Sequence, residues 1–291
     1  MGRLPYYVLL SAAVPAIGVS IWLLHVAQAP RSLLIQQIAV IIVGAVIVGI
    51  LLRICRRASS LGQPWLVLAL TTSLFLPLLV SSQHSPKRWL SLGVGRLYVG
   101  PTILPLLVFL LGTQIRSTAI CAICPIAAAI ALVLQPDAAQ LTAFSLAMLF
   151  VLLLVPSIPR RVGLAVSAAL VCFAILAWRI SDPLTPVRYV ESVFHLAAEM
   201  SVFSLILAII SAALPVIALI WIARAAASNA ILAVAFYYAC LFAMAPLQVT
   251  PVPLLGFGAG PIFGYVLVAG AISHTIIRKV EPSHDLEHTK G

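Results

Sequence analysis

Acidic residues are almost absent from this sequence. Of its 291 residues only seven are Asp or Glu, and four of those precede residue 281: Asp137, Asp182, Glu191 and Glu199. Charged residues make up 8% of the chain and hydrophobic residues 63%. Soluble domains carry about 25% charged residues, so the composition excludes an ordinary soluble protein and indicates an integral membrane protein. Ionisable groups are costly near a bilayer, and each of the four acids therefore needs a specific explanation.

The sequence motifs of several enzyme classes are also absent. We find no phosphate-binding glycine loop, no HExxH and no GxSxG, which disfavours nucleotide hydrolysis, zinc proteolysis and serine-hydrolase chemistry. Cys121 and Cys124 form a CxxC within an apolar run that has no second ligand pair, and none of the six histidines has a partner at ligand spacing. We therefore interpret the cysteines as small buried side chains and predict no metal site built by the protein.

Ten long apolar runs fill most of the chain. A bilayer core about 30 Å thick needs roughly 20 apolar residues per helix, and the runs are too long and continuous for barrel strands. We predict an all-α integral membrane protein with about ten transmembrane helices. Residues 1–280 would form one polytopic membrane domain, and residues 281–291 a polar cytoplasmic tail. The predicted spans are residues 6–27, 33–54, 63–82, 99–114, 118–135, 138–157, 161–179, 200–223, 228–247 and 260–278.

Lys and Arg predict the orientation of these spans. With both termini in the cytoplasm, eleven of the 17 basic residues lie on the inner side and six on the outer side, as the positive-inside rule requires. The same N-in/C-in arrangement places the four early acids outside. The net charge of +10 thus reflects topology and anionic lipid rather than nucleic acid. The outer basic residues are Arg31, Lys87, Arg88, Arg96, Arg179 and Arg188.

Three connections on the predicted outer side are longer than a turn requires: residues 83–98, 180–200 and 245–261, which we call the first, second and third outer segments. Connections of this length are usually functional or disordered, and their mixed apolar and charged composition favours ordered, re-entrant or interfacial segments.

The first outer segment carries a basic cluster beside an indole. Lys87, Arg88 and Arg96 flank Trp89, and such cations suit a phosphate or pyrophosphate headgroup. The alternative is an ordinary interfacial anchor, because Trp and Arg are common at lipid boundaries.

Two acids have competing structural and chemical explanations. Asp137 follows Gln135 and Pro136 between two spans, where a carboxylate caps the next helix; the alternative is a catalytic role. Glu191 could act as a general base if its pKa is raised in an outer cleft, or it could be a helix cap or the ion-pair partner of Arg188. If the helix includes Glu191, then His195 at i+4 and Glu199 at i+8 share one face with it.

Four stretches, in order, resemble the SEDS (shape, elongation, division and sporulation) family, which includes FtsW, RodA and SpoVE. Residues 88–93, with Arg96 and Pro101, are similar to the family's RWIxLG segment and the QPSE stretch after it. Residues 134–137 match its LQPD. Residues 189–195, with Glu199, occupy the place of HTDFIFA…EE, and residues 251–260 are similar to TxPLxSYGGS.

The resemblance implies a peptidoglycan glycosyltransferase at the outer face of the bacterial plasma membrane, in cell wall synthesis, cell shape or division. Its substrate would be lipid II, the disaccharide peptide linked to undecaprenyl pyrophosphate. A single-span penicillin-binding protein or another membrane subunit would be the partner, and a divalent cation could accompany the pyrophosphate. The implied site has Glu191 as catalytic base, Lys87, Arg88 and Arg96 on the pyrophosphate, Trp89 on lipid or sugar, and Asp137, Glu199 and Gln135 in support.

The chain departs from the family pattern where the chemistry would occur. Glu191 replaces the family's essential aspartate, Tyr189 and Val190 replace His and Thr, and Gly256 replaces the serine of SYGG. The second outer segment is cut to about twenty residues. The shortened segment and the substitutions at residues 189–191 favour a non-catalytic scaffold or a subunit that binds the lipid-linked precursor, whereas the retained carboxylate at 191 and residues 87–89 favour the polymerase. A lipid flippase or transporter is a further alternative, although we find no acid in mid-span and no inverted repeat.

Overall fold

The computed structural model describes residues 4–55, 63–80, 87–92, 95–113, 117–154, 158–182 and 184–280. Within these ranges the regular secondary structure is helical except for one antiparallel hairpin, and a 3₁₀-helix (Ala245–Leu247) follows α11. The elements are α1 (Leu4–Val26), α2 (Arg31–Cys55), α3 (Gln63–Ser73), α4 (Leu76–Val80), β1 (Trp89–Leu92), β2 (Gly95–Tyr98), α5 (Val99–Thr113), α6 (Thr118–Leu134), α7 (Ala138–Leu154), α8 (Arg160–Arg179), α9 (Val193–Met200), α10 (Val202–Ala225), α11 (Asn229–Met244) and α12 (Ala259–Val280).

The predicted all-α membrane fold is confirmed. Five helices are long and apolar enough to cross a bilayer: Pro5–Val26, Arg160–Arg179, Val202–Ala225, Asn229–Leu247 and Ala259–Ile277. Five shorter apolar helical stretches accompany them: Arg31–Gly44, Pro64–Val80, Val99–Thr113, Thr118–Leu134 and Ala138–Leu154. Each of the ten predicted spans overlaps one of these stretches. The tail 281–291 lies outside the described residues.

The third span is broken rather than continuous. α3 ends at Ser73 and α4 begins at Leu76, one residue before Pro77. Proline has no N–H to donate to the preceding turn, so the helix cannot run through it undisturbed. The carbonyl of Leu74 is satisfied instead by the side-chain amide of Gln135, 2.5 Å away. A buried carbonyl needs such a partner, and Gln135 thus stabilises the break.

The helices pack around a core formed by α5, α7, α11 and α12, with α1 against α10 and α2 against α12. The backbones of α5 and α12 approach closely, because a Cβ atom at Gly264 would overlap the carbonyl oxygen of Pro101. This backbone contact fixes the ends of both helices that lead into the outer segments.

Candidate functional site

The three outer segments converge at one end of the bundle, which we call the outer end in keeping with the predicted orientation. In the first segment β1 pairs with β2, with Trp89 opposite Tyr98. The second and third segments touch through their backbones, because the N–H of Phe257 donates to the carbonyl of Tyr189 at 2.8 Å. A Cβ at Gly256 would lie 2.6 Å from the carbonyl oxygen of Val190, so a residue without a side chain is required there.

Arg88 is buried at the centre of the outer end and binds groups from two other parts of the chain. Its Nη2 lies 2.5 Å from Oδ1 of Asp182 and 3.3 Å from the carbonyl oxygen of Pro136. Oδ1 of Asp182 also accepts the N–H of Leu184 at 3.0 Å. Arg88 therefore ties the first outer segment to the junction between α6 and α7 and to the start of the second outer segment.

Asp137 is also buried, beside Arg88. Its Oδ2 accepts the hydroxyl of Tyr98 at 2.5 Å, and its Oδ1 accepts the backbone N–H of Gln140 at 3.3 Å. The second contact is the helix cap expected from the sequence. The side chain of Gln140 continues the network, since it donates to Oγ1 of Thr250 at 3.3 Å and accepts the hydroxyl of Tyr237. Through these bonds the network reaches the third outer segment.

Burial shifts the pKa values of both charged groups in this network. Burial raises the pKa of the Asp137 carboxyl above its usual value, although Arg88 and the Tyr98 hydroxyl favour the ionised form. Burial alone would lower the pKa of Arg88, but Tyr98, Asp137 and Asp182 raise it above its ordinary value. The guanidinium therefore stays charged and is balanced by carboxylates of the protein.

Glu191 lies in a turn before α9 rather than on it. Its Oε2 accepts the N–H of Val187 at 2.8 Å, while its own N–H donates to the carbonyl of Val187 at 3.1 Å. The predicted helix face shared by Glu191, His195 and Glu199 is therefore wrong, because these bonds close a turn and the helix begins at Val193. Arg188 pairs with Glu199 at 2.9 Å, not with Glu191.

The half-buried position of Glu191 suits a proton acceptor. Burial raises the pKa of its carboxyl; the Val187 N–H and the charge of Arg88 oppose this shift, and the charge of Asp182 adds to it. A raised pKa brings a carboxylate closer to the value that favours general-base catalysis near neutral pH.

The structure divides the other predicted site residues into two groups. Arg88, Asp137 and Gln135 are buried and bonded within the protein, whereas Lys87 and Arg96 are exposed and form no ion pair with the described residues. Trp89 is partly buried and stacks on Tyr98 with ring centroids 4.9 Å apart. The binding roles of Lys87, Trp89 and Arg96 remain predictions. Residues 81–86, 93 and 94, which include part of the predicted RWIxLG segment, lie outside the described residues.

Residues 187–192 form the turn that holds Glu191, and we call it the Glu191 turn. An open cleft of about 430 Å³ adjoins it. Glu199, for which we predicted a supporting role, lines it together with His195, its neighbour one turn earlier on α9. No three His, Cys, Asp or Glu side chains lie close enough to hold a metal ion in the part of the chain that the structure describes. The cleft is lined by Pro186, Arg188, Ser192, His195, Leu196, Glu199 and Gln248.

Several residues of the site were not predicted from the sequence. Asp182 was one of the four outer acids, but nothing in its neighbourhood indicated a partner. Tyr98, Gln140 and Thr250 gave no signal, because their roles depend on contacts between segments far apart in the sequence.

Fold and site together define a polytopic α-helical membrane protein whose outer end is organised around a buried arginine. The sequence matches no known protein-family model and no curated protein. The structure is similar to that of the rod shape determining protein RodA of Thermus thermophilus, with a TM-score of 0.72 and 18% identity over 94% of this chain and 97% of RodA.

Two further structures show the same likeness. An aspartate-to-alanine variant of Thermus RodA matches with a TM-score of 0.68 and 19% identity, over 94% of this chain and 98% of its own. A chain from a study of how a peptidoglycan synthase complex coordinates polymerisation and crosslinking matches with a TM-score of 0.66 and 18% identity, over the same shares. The chain thus has the RodA fold over nearly its whole length, and the resemblance seen in the sequence is confirmed at the level of the fold.

Proposed function

We propose that this protein is a divergent, shortened SEDS family member that polymerises lipid II at the outer face of the bacterial plasma membrane. The main support is the RodA fold over 94% of the chain, combined with a half-buried carboxylate at position 191. The sequence resemblance aligns this position with the family's essential aspartate.

In this proposal Glu191 accepts the proton of the acceptor sugar hydroxyl. The hydroxyl oxygen then bonds to the anomeric carbon of the donor sugar, and the bond from that carbon to the pyrophosphate oxygen breaks. Lys87 and Arg96 are exposed and would bind the departing pyrophosphate, because cations stabilise the charge that develops there. Arg88 is buried and its charge is already balanced by Asp182 and Asp137. It would therefore stabilise the pyrophosphate less than the two exposed cations do.

A membrane partner is part of the proposal. One of the similar chains comes from a complex that combines polymerisation with crosslinking. A single-span penicillin-binding protein could pack its helix against the apolar outside of the bundle, where large side chains such as Trp65 and Phe203 are exposed.

A non-catalytic scaffold is the second candidate, and one observation favours it. The Glu191 carboxylate already accepts the N–H of Val187 within its own turn. A carboxylate held this way acts as a turn cap and would have to turn towards substrate before it could accept a proton.

Polymerisation of lipid II by the protein, purified with its native membrane partner, distinguishes the candidates. We expect wild-type protein to make glycan chains and Glu191→Gln to reduce the rate by about 10²–10⁴-fold, because the amide is not a base. The Gln side chain still offers an oxygen to Val187, so the turn is preserved. Glu191→Asp, which restores the family's residue, should retain activity.

Arg179→Gln is the matched control, because Arg179 is exposed at the end of α8 and forms no ion pair with the described residues. It should behave as wild type. Lipid II binding without polymerisation would indicate the scaffold, and transfer of lipid II across vesicles without polymerisation would indicate a flippase. Full activity of Glu191→Gln would remove Glu191 as the base.

A further inference from the structure

The geometry of the outer end points to Asp182 as a positioning residue: we propose that its ion pair with Arg88 holds the Glu191 turn in place for catalysis. The catalytic part of this inference rests on the proposed function. Asp182 is not among the residues that the SEDS resemblance assigns to the site.

The Arg88–Asp182 pair lies in a different environment from the second ion pair of the outer end. The side chain of Arg88 is only 6% exposed and that of Asp182 37%, whereas Arg188 and Glu199 are each 62% exposed. Exposed pairs contribute little, but Arg88 is buried, and removing a carboxylate partner from a buried guanidinium leaves its charge poorly compensated and is unfavourable. The contact of Arg88 with Asp182 should therefore constrain the backbone on both sides.

Asp182 is placed to pass that constraint to Glu191. It stands at the start of the second outer segment, where its Oδ1 accepts both the Arg88 guanidinium and the N–H of Leu184. Farther along the same segment, the carbonyl of Tyr189 accepts the N–H of Phe257. The Glu191 turn lies at this point, close enough for its carboxyl to respond to the charges of Arg88 and Asp182.

Asp182→Asn tests the ion pair without removing the turn. Asn is isosteric and keeps an oxygen for Leu184, so the variant loses the charge only. We expect kcat for polymerisation to fall about 10- to 100-fold with little change in KM, because small displacements of a catalytic group cost rate rather than affinity. Asp182→Glu, which keeps the charge, should recover much of the loss, and Arg179→Gln should have no effect.

The pH profile gives a readout that a purely structural role would not move. The negative charge of Asp182 raises the pKa of Glu191, and its removal also frees the positive charge of Arg88. Both changes lower the pKa of Glu191, so the acidic limb of the rate profile should shift to lower pH in Asp182→Asn.

Hydrogen exchange tests positioning independently of catalysis. The N–H groups of Val190, Glu191 and Ser192 all donate to the carbonyl of Val187. Asp182→Asn should raise their exchange rates, and Arg179→Gln should leave them unchanged. Unchanged exchange in Asp182→Asn would overturn the positioning role. If wild-type protein does not polymerise lipid II but Asp182→Asn still raises exchange, the proposed function fails while the role of Asp182 in holding the turn stands.

Discussion

At the scale of single residues, the three cations of the first outer segment differ in what surrounds them. Arg88 contacts oxygen atoms of Asp182 and Pro136 and is attracted by the charge of Asp137. Lys87 and Arg96 are exposed instead. A guanidinium can occupy a buried position only when such acceptors surround it. The basic cluster therefore combines one internal counter-ion with two cations open to a ligand.

Substitution of Asp137 tests whether this internal network stabilises the folded protein. Asp137→Ala removes the cap of α7 and leaves the Tyr98 hydroxyl without its acceptor. Loss of a cap costs about 1 kcal/mol, and a buried unsatisfied hydroxyl roughly 1–3 kcal/mol. We expect a loss of about 2–4 kcal/mol of unfolding free energy, measured by unfolding of the detergent-solubilised protein.

Asp137→Asn is the matched control for this substitution. Asn caps a helix about as well as Asp and can accept the Tyr98 hydroxyl, so its loss of stability should be clearly smaller. Equal stability of the Ala variant and the wild type would show that the network does not support the fold.

At the scale of helices and strands, the sequence predicted the spans well and their interruptions poorly. Span lengths follow from bilayer thickness, which acts on every apolar run in the same way. The break between α3 and α4 depends instead on Gln135, 61 residues from the carbonyl that it satisfies. The hairpin β1–β2 was expected only as an ordered or interfacial segment, because strands of four residues leave too short a pattern to recognise.

The site was less predictable than the spans for the same physical reason. The positions of Arg88, Asp137 and Glu191 between the spans could be predicted from the sequence, and the capping role of Asp137 followed from Pro136 before it. The pairing of Arg88 with Asp182 could not, because it arises from the convergence of two loops. The turn around Glu191 was also missed, since its side chain closes that turn through Val187.

The close contact of α5 with α12 predicts that a side chain at Gly264 destabilises the protein. Gly264→Ala would place a methyl group against the carbonyl oxygen of Pro101. Because both contacting groups are backbone or fixed to it, the helices must separate, and overpacking of this kind costs about 1–3 kcal/mol or more. We expect lower thermal stability of the solubilised protein.

Gly18→Ala is the matched helical control. A Cβ at Gly18 would meet no atom within 4 Å, and alanine favours a helix more than glycine does. This variant should be at least as stable as the wild type. If both substitutions had the same effect, close packing of α5 on α12 would not be the cause.

At the scale of the whole molecule, orientation in the membrane decides which chemistry is available. The three outer segments, the four early acids and the cleft beside α9 all belong to one end of the bundle. A lipid-linked precursor at the outer surface can reach them only if that end faces outward. The proposed function therefore depends on the N-in/C-in orientation, which follows from the bias of basic residues towards the other end.

Cysteine labelling of intact cells tests this orientation. Ser91 on β1 and Asn229 at the start of α11 are both exposed side chains at opposite ends of the bundle. In a background without native cysteines, Ser91→Cys should react with an impermeant maleimide from outside, and Asn229→Cys only after permeabilisation. Because both positions are exposed, a difference in their labelling shows on which side of the membrane each lies and does not reflect burial. The reverse pattern would place the Arg88 network and Glu191 in the cytoplasm, where they could not act on lipid II at the outer face.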